Sequence, residues 1–509
     1  MFDVGGQSVR LAVLDEHSNI LWRRKQSIKT VYPDDVSVEH DPDEIINACH
    51  SLLDSVQCLE YIIESVALAT QRSSIICWDK VDGKAFGNII SWQDTRADKL
   101  LSEIITQSSR EESVDSRSIE QDIRNITGLY PSAHYGASKM LFCLNAIKKN
   151  SADSSIHEAK TKRRLVITPL ASWIFAQLQL PTTDKSKAVR QIMIDEGQAQ
   201  RTLLWNIEKR EWDVKMLQRF SIKPEILPKV SDNLIRPIAL ASRKLAHCEL
   251  IIGDQAAAIF AHGMPNVNTC YINAGTGAFL LLPYILPAKL DIPQALLNSI
   301  VYRDSKIKIN AVEATINGAA SALVWCDRET GTDSQSRPEY LYTSVALDTC
   351  FLNGVSGLAA PWWKPDFQSR FINADTVQEK YQTVYESILF LIKKNFEMMV
   401  GAGFNVERVI FSGGLSLEAK FAQALASLLQ RPVYCDSDHE ATLKGAGYIL
   451  ANMRSDNGGD SDSNLNECYA LEKNRLERIE PENIQHEIAA SLHKRYQFWD
   501  RNMALTLKL

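Results

Sequence analysis

The sequence lacks the features of a zinc protein, a disulfide-rich secreted protein or a membrane protein. It has no CxxC pair, no basic-then-apolar signal pattern at its start, and no apolar run long enough to span a bilayer. Its ten cysteines lie far apart, mostly among apolar neighbours. We therefore expect buried thiols in a reducing compartment, a cytoplasmic location and no insertion into a membrane.

Positive charge is also scarce. The formal net charge is -6, and the longest unbroken basic runs are Arg23–Lys25 and Lys162–Arg164. Proteins that bind nucleic acid carry a basic patch or stripe, so we expect no nucleic-acid partner. The sequence does not fix the oligomeric state, and a homodimer and a homotetramer both remain open.

The composition is that of an ordinary globular protein, with 45% apolar and 23% charged residues. A chain of 509 residues is too long for a single hydrophobic core, which predicts two domains.

The first part of the chain combines strand and helix patterns. Alternating apolar residues on both sides of the polar turn 15–19 predict a β-hairpin. Asp41 and Pro42 then precede helically spaced apolar residues, so a helix is expected to begin at Pro42. Short apolar runs at 62–70, 74–78 and 88–92 follow, and together these patterns predict an α/β fold.

Two segments half a chain apart share a pattern of strand, glycine turn and strand. They are FDVGGQSVRLAV near the start and YINAGTGAFLLL at 271–282. This repetition predicts two halves of similar design, each presenting backbone N–H groups in a tight turn. A long helix is expected from about Thr376 to Val400, followed by a strand, the glycine turn at 412–414 and another helix. Residues 455–464 are rich in Ser, Asp, Gly and Asn and predict a flexible loop.

The opening turn has two interpretations. Glycines let a backbone approach phosphate oxygens, Arg10 would add positive charge, and Asp3 could hold a metal through water. A plain hairpin turn explains the glycines equally well, but not the acid before them and the base after them.

Two further groups of polar residues follow predicted strands. Asp254 is either a helix cap after Gly253 or a carboxylate that accepts a proton from a substrate hydroxyl. Arg72, Trp92 and Asp94 are suited to binding a polyol, although Trp92 is equally suited to the core. From residues alone, the chain is a two-domain α/β protein with phosphate binding as one interpretation.

The order of its motifs goes further, because it resembles the glycerol kinase branch of the FGGY carbohydrate kinase family. The segment ATQRSSIICWDKVDGKAFGNIISWQDTRADKL resembles that branch's NQRE, WD…G and WQDTR motifs. Other segments occur in family order from Asp3 to about Leu450, namely VEHDP, NITGLYPSAHYGASKM, QRTLLWNIEKREWD, IIGDQAAAIF, AGTGAF, VSGLAAPWWKPDF and IFSGGLSLEAKF.

This resemblance implies a fold, domain boundaries and ligands. The implied fold consists of two actin-like, ribonuclease-H-like α/β domains with a nucleotide cleft between them. The corresponding boundaries are 1–247 for a substrate-binding domain, 248–454 for an ATP-binding domain, 455–480 for a flexible insertion and 481–509 for a C-terminal helix. The implied cofactors are ATP and Mg²⁺, and the implied partner is a small polyol or sugar.

The resemblance also implies residue roles. Asp254 is the expected catalytic base, and Asp3 and Asp254 are the expected metal-binding residues. The positions expected to contact the substrate are Arg72, Ser73, Trp92, His134, Tyr135, Asp254, Gln255 and Phe279. The positions expected to bind the nucleotide are Gly5, Gly6, Gln7, Arg10, Gly275, Thr276, Gly413, Gly414 and Glu418.

Four departures from the glycerol kinase pattern bear on the substrate. Ser73 replaces the Glu of NQRE, and His134, followed by Tyr135, replaces a Tyr. Gly6 and Gln7 replace loop threonines, and Glu418 stands where Asn is common. Losing a carboxylate that accepts a hydroxyl hydrogen bond can redirect specificity, so we expect a larger polyol or a ketose rather than glycerol.

Two alternatives to a kinase stay open at this stage. The altered first loop and Ser73 are compatible with a non-catalytic ATP- or sugar-binding regulator on the same fold. An actin-like assembly protein is the other alternative, but it leaves Arg72 and Trp92 unexplained. The short apolar stretch before Asp3 is compatible either with a short first strand or with a start assigned too late.

Overall fold

The structure is a computed structural model, and it describes most of the chain. The described ranges are 1–56, 58–149, 164–179, 190–241, 246–287, 290–342, 346–436, 440–453 and 476–508. The loop predicted at 455–464 and most of the predicted insertion lie outside them.

The chain divides into two compact units, each assembled from separate stretches of sequence. The first unit contains Met1–Met264, Ser299–Ile309 and Glu440–Ser461. The second unit contains Pro265–Asn298, Asn310–His439 and Asp462–Leu509.

A six-stranded mixed sheet is the centre of the first unit. Its strands are β1 (Phe2–Val4), β2 (Ser8–Leu14), β3 (Ile20–Ser27), β5 (Val66–Thr70), β13 (Leu234–Ala239) and β14 (His247–Gly253), in the order β13-β14-β5-β1-β2-β3. The predicted β2–β3 hairpin is present and antiparallel, and β1, β5 and β14 run parallel. The carboxyl ends of these three parallel strands therefore lie side by side, where ligands of α/β sheets collect.

Smaller sheets complete the strands of the first unit. A four-stranded sheet has the order β4-β7-β6-β8, from β4 (Glu39–His40), β6 (Ile75–Asp79), β7 (Ile89–Ile90) and β8 (Leu165–Pro169). Two strand pairs join β9 (Met193–Asp195) to β12 (Lys229–Ser231) and β10 (Trp205–Asn206) to β11 (Glu211–Trp212).

Helices cover these sheets, and the first of them begins at Pro42 as predicted. The helices are α1 (Pro42–Val56), α2 (Asp98–Glu112), α3 (Ser116–Thr127), α4 (Gly136–Lys149), α5 (Leu170–Leu178), α6 (Glu196–Gln200), α7 (Val214–Arg219), α8 (Asp254–Ala258) and α12 (Ala441–Asn452). In α1, Ile45, Cys49 and Leu52 share one helical face and are buried. They join a core that includes Phe2 and Trp78.

The second unit contributes most of a seven-stranded sheet. Its strands are β15 (Thr269–Ala274), β16 (Ala278–Ile285), β17 (Leu297–Arg303), β18 (Lys308–Ile316), β21 (Arg408–Ser412), β22 (Val433–Cys435) and β23 (Glu477–Ile479), in the order β17-β18-β16-β15-β21-β22-β23. Most of β17 and the first two residues of β18 belong to the stretch Ser299–Ile309 of the first unit. A further pair joins β19 (Cys350–Leu352) to β20 (Arg370–Ile372). An antiparallel hairpin followed by two parallel strands, β16-β15-β21-β22, repeats the pattern β2-β1-β5-β14 of the first sheet.

The second unit has four long helices, of which all but the first were predicted from the sequence. They are α9 (Ala320–Thr330), α10 (Val377–Gly401), α11 (Ala419–Leu429) and α13 (His486–Leu507). Thr376 and Glu379 form a capping box at the start of α10, which explains why this helix begins where the sequence predicts. The core packed between these helices and the sheet includes Ile388, Phe411 and Trp499.

Three sequence predictions meet different outcomes. Cys58 is exposed and Cys143 is half-buried, so burial of every cysteine was wrong, whereas the other cysteines within the described residues are buried. The predicted boundary at 247/248 falls inside β14, a strand of the first sheet, and the domain boundaries stay predictions. Over the residues that the structure describes, no helix combines the length and apolar character needed to cross a membrane.

Candidate active site

The opening turn connects two paired strands, and this pairing explains the acid and the base on either side of it. The β1–β2 register places Asp3 opposite Arg10, and the Gly5 amide donates to the Ser8 carbonyl over 3.1 Å. The Arg10 guanidinium donates directly to the buried Asp3 carboxylate. An additional Cβ atom at Gly6 would lie 3.3 Å from Oε1 of Gln71, so this turn sits close to the segment after β5.

Arg10 has a second carboxylate partner from the far end of the chain. Its Nη1 donates to Oε2 of Glu440 over 2.9 Å, and Glu440 immediately precedes α12. Burial raises the pKa of Asp3 to about 6, against the opposing effect of Arg10, while Asp254 and Glu440 raise it further. Three carboxylates therefore contribute to the electrostatics of one small region around Arg10.

Asp254 follows β14 and is the first residue of α8. Its Oδ1 accepts the Gln255 amide over 2.8 Å and lies 3.8 Å from Nε of Arg72. Burial raises the pKa of Asp254, and Arg72 is the largest influence that opposes this shift. A partly buried carboxylate whose pKa is raised is a better proton acceptor than an exposed one.

The close packing of α8 depends on glycines. A Cβ atom at Gly253 would lie 2.9 Å from Cγ and Cδ of Arg72, so glycine gives this arginine its place beside Asp254. A Cβ atom at Gly445 in α12 would lie 1.8 Å from the Ala257 carbonyl oxygen, so α12 packs directly against α8.

The donor set fits a magnesium ion that is bound mainly through water and phosphate. Mg²⁺ is usually held by one or two carboxylates, and the negative charge of Asp254 raises the pKa of Asp3, so a cation at this place would be stabilised. Over the described residues, no group of three or more His, Cys, Asp or Glu side chains could hold a metal ion by itself.

A second cluster of predicted residues lies around α4. His134 Nδ1 is 3.0 Å from the Trp92 carbonyl oxygen, and the two rings are 6.3 Å apart between centroids. Because a carbonyl oxygen only accepts, Nδ1 carries the proton of this hydrogen bond. Burial lowers the pKa of His134, which favours the neutral ring and leaves Nε2 as a hydrogen-bond acceptor.

Ser73 and Tyr135 belong to the same part of the first unit. Ser73 is buried and has a φ of 66°, a left-handed conformation that is uncommon for serine and often occurs at functional sites. Tyr135 is buried, and the Arg201 guanidinium lies 5.9 Å from its ring centroid. Asp94 is also buried, and it binds the Arg96 side chain and the Val38 amide.

Gln7 is exposed in the turn between β1 and β2. The other predicted residues lie in the second unit, where two glycine turns follow the neighbouring strands β15 and β21. The Gly275 carbonyl accepts the Ala320 amide over 3.0 Å, and the Thr276 carbonyl accepts the Ser321 amide over 3.0 Å. The turn after β15 is therefore fixed to the start of α9.

Gly413 occupies the turn after β21. It has a φ of 91°, and a Cβ atom there would lie 2.5 Å from the Ala274 carbonyl oxygen, so only glycine fits. Gly414 begins a 3₁₀ helix, Glu418 is exposed before α11, and Phe279 is half-buried in β16. Gly275, Thr276, Gly413 and Gly414 thus gather at one edge of the second sheet.

Sequence reasoning missed three residues at these two clusters, of which Lys139 and Gln71 are buried and Glu440 is half-buried. Glu440 binds Arg10, and Lys139 donates to backbone carbonyls beside Ser73, Trp92 and His134. Gln71 is buried, and within the described residues neither atom of its amide group has a hydrogen-bond partner. Lys139 lies within the NITGLYPSAHYGASKM segment and Gln71 within ATQRSS, so both were visible, but nothing local indicated their partners.

Comparison with known proteins identifies the family. A model of the N-terminal domain of the FGGY family of carbohydrate kinases matches residues 1–234, and a model of the C-terminal domain matches residues 270–454. Glycerol kinase 1 of Thermotoga maritima is 26% identical over 465 residues, which cover 88% of this chain and 89% of that protein.

Two solved structures share the fold over nearly the whole chain. The glycerol kinase of Plasmodium falciparum, in a crystal structure with ADP, has a TM-score of 0.79 and 22% identity, with 99% of this chain and 97% of that chain covered. A ligand-bound xylulose kinase from Lactobacillus acidophilus has a TM-score of 0.76 and 17% identity, with coverage of 99% and 97%. The predicted two-domain α/β fold is confirmed, and the chain belongs to the FGGY family of carbohydrate kinases.

Proposed function

We propose that this carbohydrate kinase transfers the γ-phosphoryl group of ATP to a hydroxyl of a small polyol or sugar, and that its preferred substrate is a larger polyol or a ketose rather than glycerol. The observation that carries the proposal is the environment of Asp254. Its carboxylate lies at the end of β14, 3.8 Å from Arg72, with a pKa raised by burial. This is the arrangement expected for a base that serves phosphoryl transfer.

In the proposed step, Asp254 accepts the proton of the substrate hydroxyl while the hydroxyl oxygen forms a bond to the γ-phosphorus. The bond from the γ-phosphorus to the bridging oxygen breaks, and its electron pair goes to the β-phosphate of ADP. Arg10 and the Gly6 amide would stabilise the charge on the transferred phosphoryl oxygens, whereas Gly5 would contribute through its lack of a side chain, because its amide is bound to the Ser8 carbonyl. Positioning and charge stabilisation provide most of the rate enhancement in reactions of this class.

A magnesium ion bound through Asp3 and Asp254 would neutralise phosphate charge in the nucleotide. In the second unit, Gly275, Thr276, Gly413 and Gly414 are proposed to bind the nucleotide, because their turns expose backbone groups at one sheet edge. Glu418 and Gln7 are assigned to the nucleotide by family resemblance alone.

The acceptor site is proposed to use Arg72, Ser73, Trp92 and His134. The neutral His134 ring, with its proton on Nδ1, offers Nε2 as an acceptor for a substrate hydroxyl. Glycerol kinases carry a Glu at the position of Ser73, and its carboxylate would accept a substrate hydrogen bond. The Nε2 acceptor of His134 replaces part of that lost capacity. The smaller Ser73 side chain also leaves room for a longer carbon chain. Tyr135, Gln255 and Phe279 are assigned to the substrate by resemblance.

The experiment is ADP production by the purified protein with Mg-ATP across glycerol, erythritol, pentitols, pentuloses and heptuloses, with Asp254→Asn alongside. We expect turnover with one of the larger compounds that disappears in the variant. Turnover of glycerol alone would overturn the substrate class. If the protein binds ATP but produces no ADP with any of these compounds, the catalytic role is overturned and a non-catalytic ATP- or sugar-binding regulator is favoured.

A further inference from the structure

Lys139 is a buried lysine in α4 whose ammonium group makes its hydrogen bonds with backbone carbonyls. The side chain is completely buried. Its Nζ donates to the Ser91 and His134 carbonyl oxygens over 2.8 Å each and to the Trp92 carbonyl oxygen over 3.2 Å. The Ser73 carbonyl oxygen lies 3.5 Å away, at the limit of a hydrogen bond.

These four carbonyls come from three segments that are distant in sequence. One segment carries Ser73, the second carries Trp92, and the third carries His134. Under the proposed function, all three residues contact the acceptor substrate. The lysine therefore lies behind the acceptor site and joins its parts through their backbones.

Other hydrogen bonds reinforce the same junction. The Trp92 amide donates to Oγ of Ser74 over 3.0 Å, and His134 Nδ1 binds the Trp92 carbonyl oxygen. The Trp92 carbonyl is thus shared between His134 and Lys139. A shift of any one segment would lengthen bonds to the other two, so the three positions are coupled.

The charge at this place is costly, which argues against a purely structural purpose. Moving an ammonium group from water into the interior is unfavourable, and an apolar side chain of similar volume often stabilises such a position as well or better. Hydrogen bonds from a charged donor are stronger than those from a neutral one, and they fix geometry more tightly than apolar packing does. A buried lysine that is bound in this way provides rigid support for a neighbouring binding site.

We propose that Lys139 is a positioning residue that sets the spacing of the segments carrying Ser73, Trp92 and His134, and thereby determines affinity for the acceptor substrate but not for ATP. This inference rests on the proposed function, because it assumes that these three residues contact the acceptor.

Lys139→Met is the variant that tests the proposal, because methionine matches the shape of the lysine stem and cannot donate a hydrogen bond. Lys139→Gln keeps two N–H donors without charge and serves as a partial rescue. Lys148→Met, at an exposed position in the last turn of the same helix, controls for the substitution. Leu52→Ala, in the buried face of α1, controls for a general loss of stability.

The measurement is the KM for the acceptor and the KM for ATP of each variant, together with thermal unfolding. We expect the acceptor KM of Lys139→Met to rise by tenfold to 100-fold, on the order of what a misplacement of about 1 Å costs, with the ATP KM within about twofold. Lys139→Gln should fall between this variant and the native protein. Lys148→Met and Leu52→Ala should keep the native acceptor KM, even where Leu52→Ala unfolds at a lower temperature.

Two results would overturn the proposal. One is an acceptor KM within twofold of the native value in folded Lys139→Met. This result counts against the proposal even if a smaller fraction of the variant protein is active. The other is failure of both Lys139 variants to fold, which would assign the lysine to folding. Failure of the proposed function is distinguishable, because the native protein itself would then phosphorylate no acceptor.

Discussion

Arg72 and Asp254 lie 3.8 Å apart between Nε and Oδ1, and the absence of a side chain at Gly253 allows this distance. The arginine stem passes over the glycine, and the guanidinium reaches the carboxylate of the next residue. The glycine that ends β14 and the acid that follows it thus form one unit with an arginine from the connection between β5 and β6.

Gly253→Ala tests this relationship directly. The backbone at Gly253 has a φ of -75° and a ψ of 147°, which alanine adopts without strain, so folding should be retained. The new Cβ atom would meet Arg72 at 2.9 Å and displace it from Asp254. We expect the acceptor KM to rise by roughly tenfold. Steady-state kinetics checks this, with Gly401→Ala as the control because its Cβ atom would meet nothing within 4 Å.

Asp254→Asn should abolish most of the turnover. The amide cannot accept the hydroxyl proton, and removal of a general base costs on the order of 10²–10⁴-fold in rate. ADP production at saturating substrates measures the loss, and circular dichroism checks the fold. Asp366→Asn, at an exposed position in the second unit, is the matched control. An Asp254→Asn enzyme with native turnover would contradict the assigned role.

Gly445→Ala should destabilise the packing of α12 against α8. Its Cβ atom would lie 1.8 Å from the backbone carbonyl of Ala257, so one helix must move away from the other. We expect a loss of about 1–3 kcal/mol, as for other overpacked positions. Gly447→Ala in the same helix would meet Cδ2 of Leu14 at 2.8 Å, a flexible side-chain end, and should cost less. Chemical denaturation gives the free energy of unfolding of both variants. Equal losses of stability in the two variants would contradict the prediction.

Ser73→Glu should shift specificity towards glycerol. The substitution restores the carboxylate that glycerol kinases carry and fills space next to the acceptor. We expect the ratio of kcat/KM for glycerol to kcat/KM for the best larger substrate to rise at least tenfold, on the order of one hydrogen bond to a charged group. Ser73→Gln adds similar volume without charge and separates the two effects. If this ratio of kcat/KM values is unchanged, Ser73 does not contact the acceptor substrate.

Acceptor affinity should weaken as the pH rises through about 7, because burial lowers the pKa of Lys139 to about 7. Asp94 opposes this shift and Arg96 adds to it, while burial raises the pKa of the neighbouring Cys143 to about 12 and keeps that thiol neutral. Loss of the proton leaves two N–H donors for the surrounding carbonyls instead of three.

Calorimetric measurement of the acceptor Kd between pH 6 and 9 tests this dependence, using the native protein and Lys139→Met. Above pH 7 the unfolded chain binds the proton that the folded lysine has lost, so this group makes the protein more stable as pH rises towards 10.5. Weaker binding in that range is therefore not a sign of unfolding. The variant should show a flat profile, and an equal slope in both proteins would assign the dependence to another group.

Local patterns predicted much of the fold because they depend on neighbours a few residues apart. The β2–β3 hairpin, the start of α1 at Pro42 and the long helix α10 lie where alternation, capping and helical spacing predict them. The exposure of Cys58 was not predicted, since burial depends on what packs over a residue.

The candidate site was predictable only in part for the same reason. Asp3 and Arg10 were identified as a pair of interest, but only the β1–β2 register shows that they bind each other. Nothing in the sequence singled out Lys139, because two of the three segments around its ammonium group, those with Ser73 and Trp92, lie more than 40 residues away.

The sequence by itself determined the family, the order of the elements and the chemical types available at each turn, because short-range hydrogen bonding and motif order are written along the chain. Tertiary structure alone decided which charges meet. Arg10 and Glu440 are 430 positions apart, and they come within 2.9 Å because α12 packs on α8 beside the first sheet. Contacts at that separation arise from the packing of whole elements, and no local pattern encodes them.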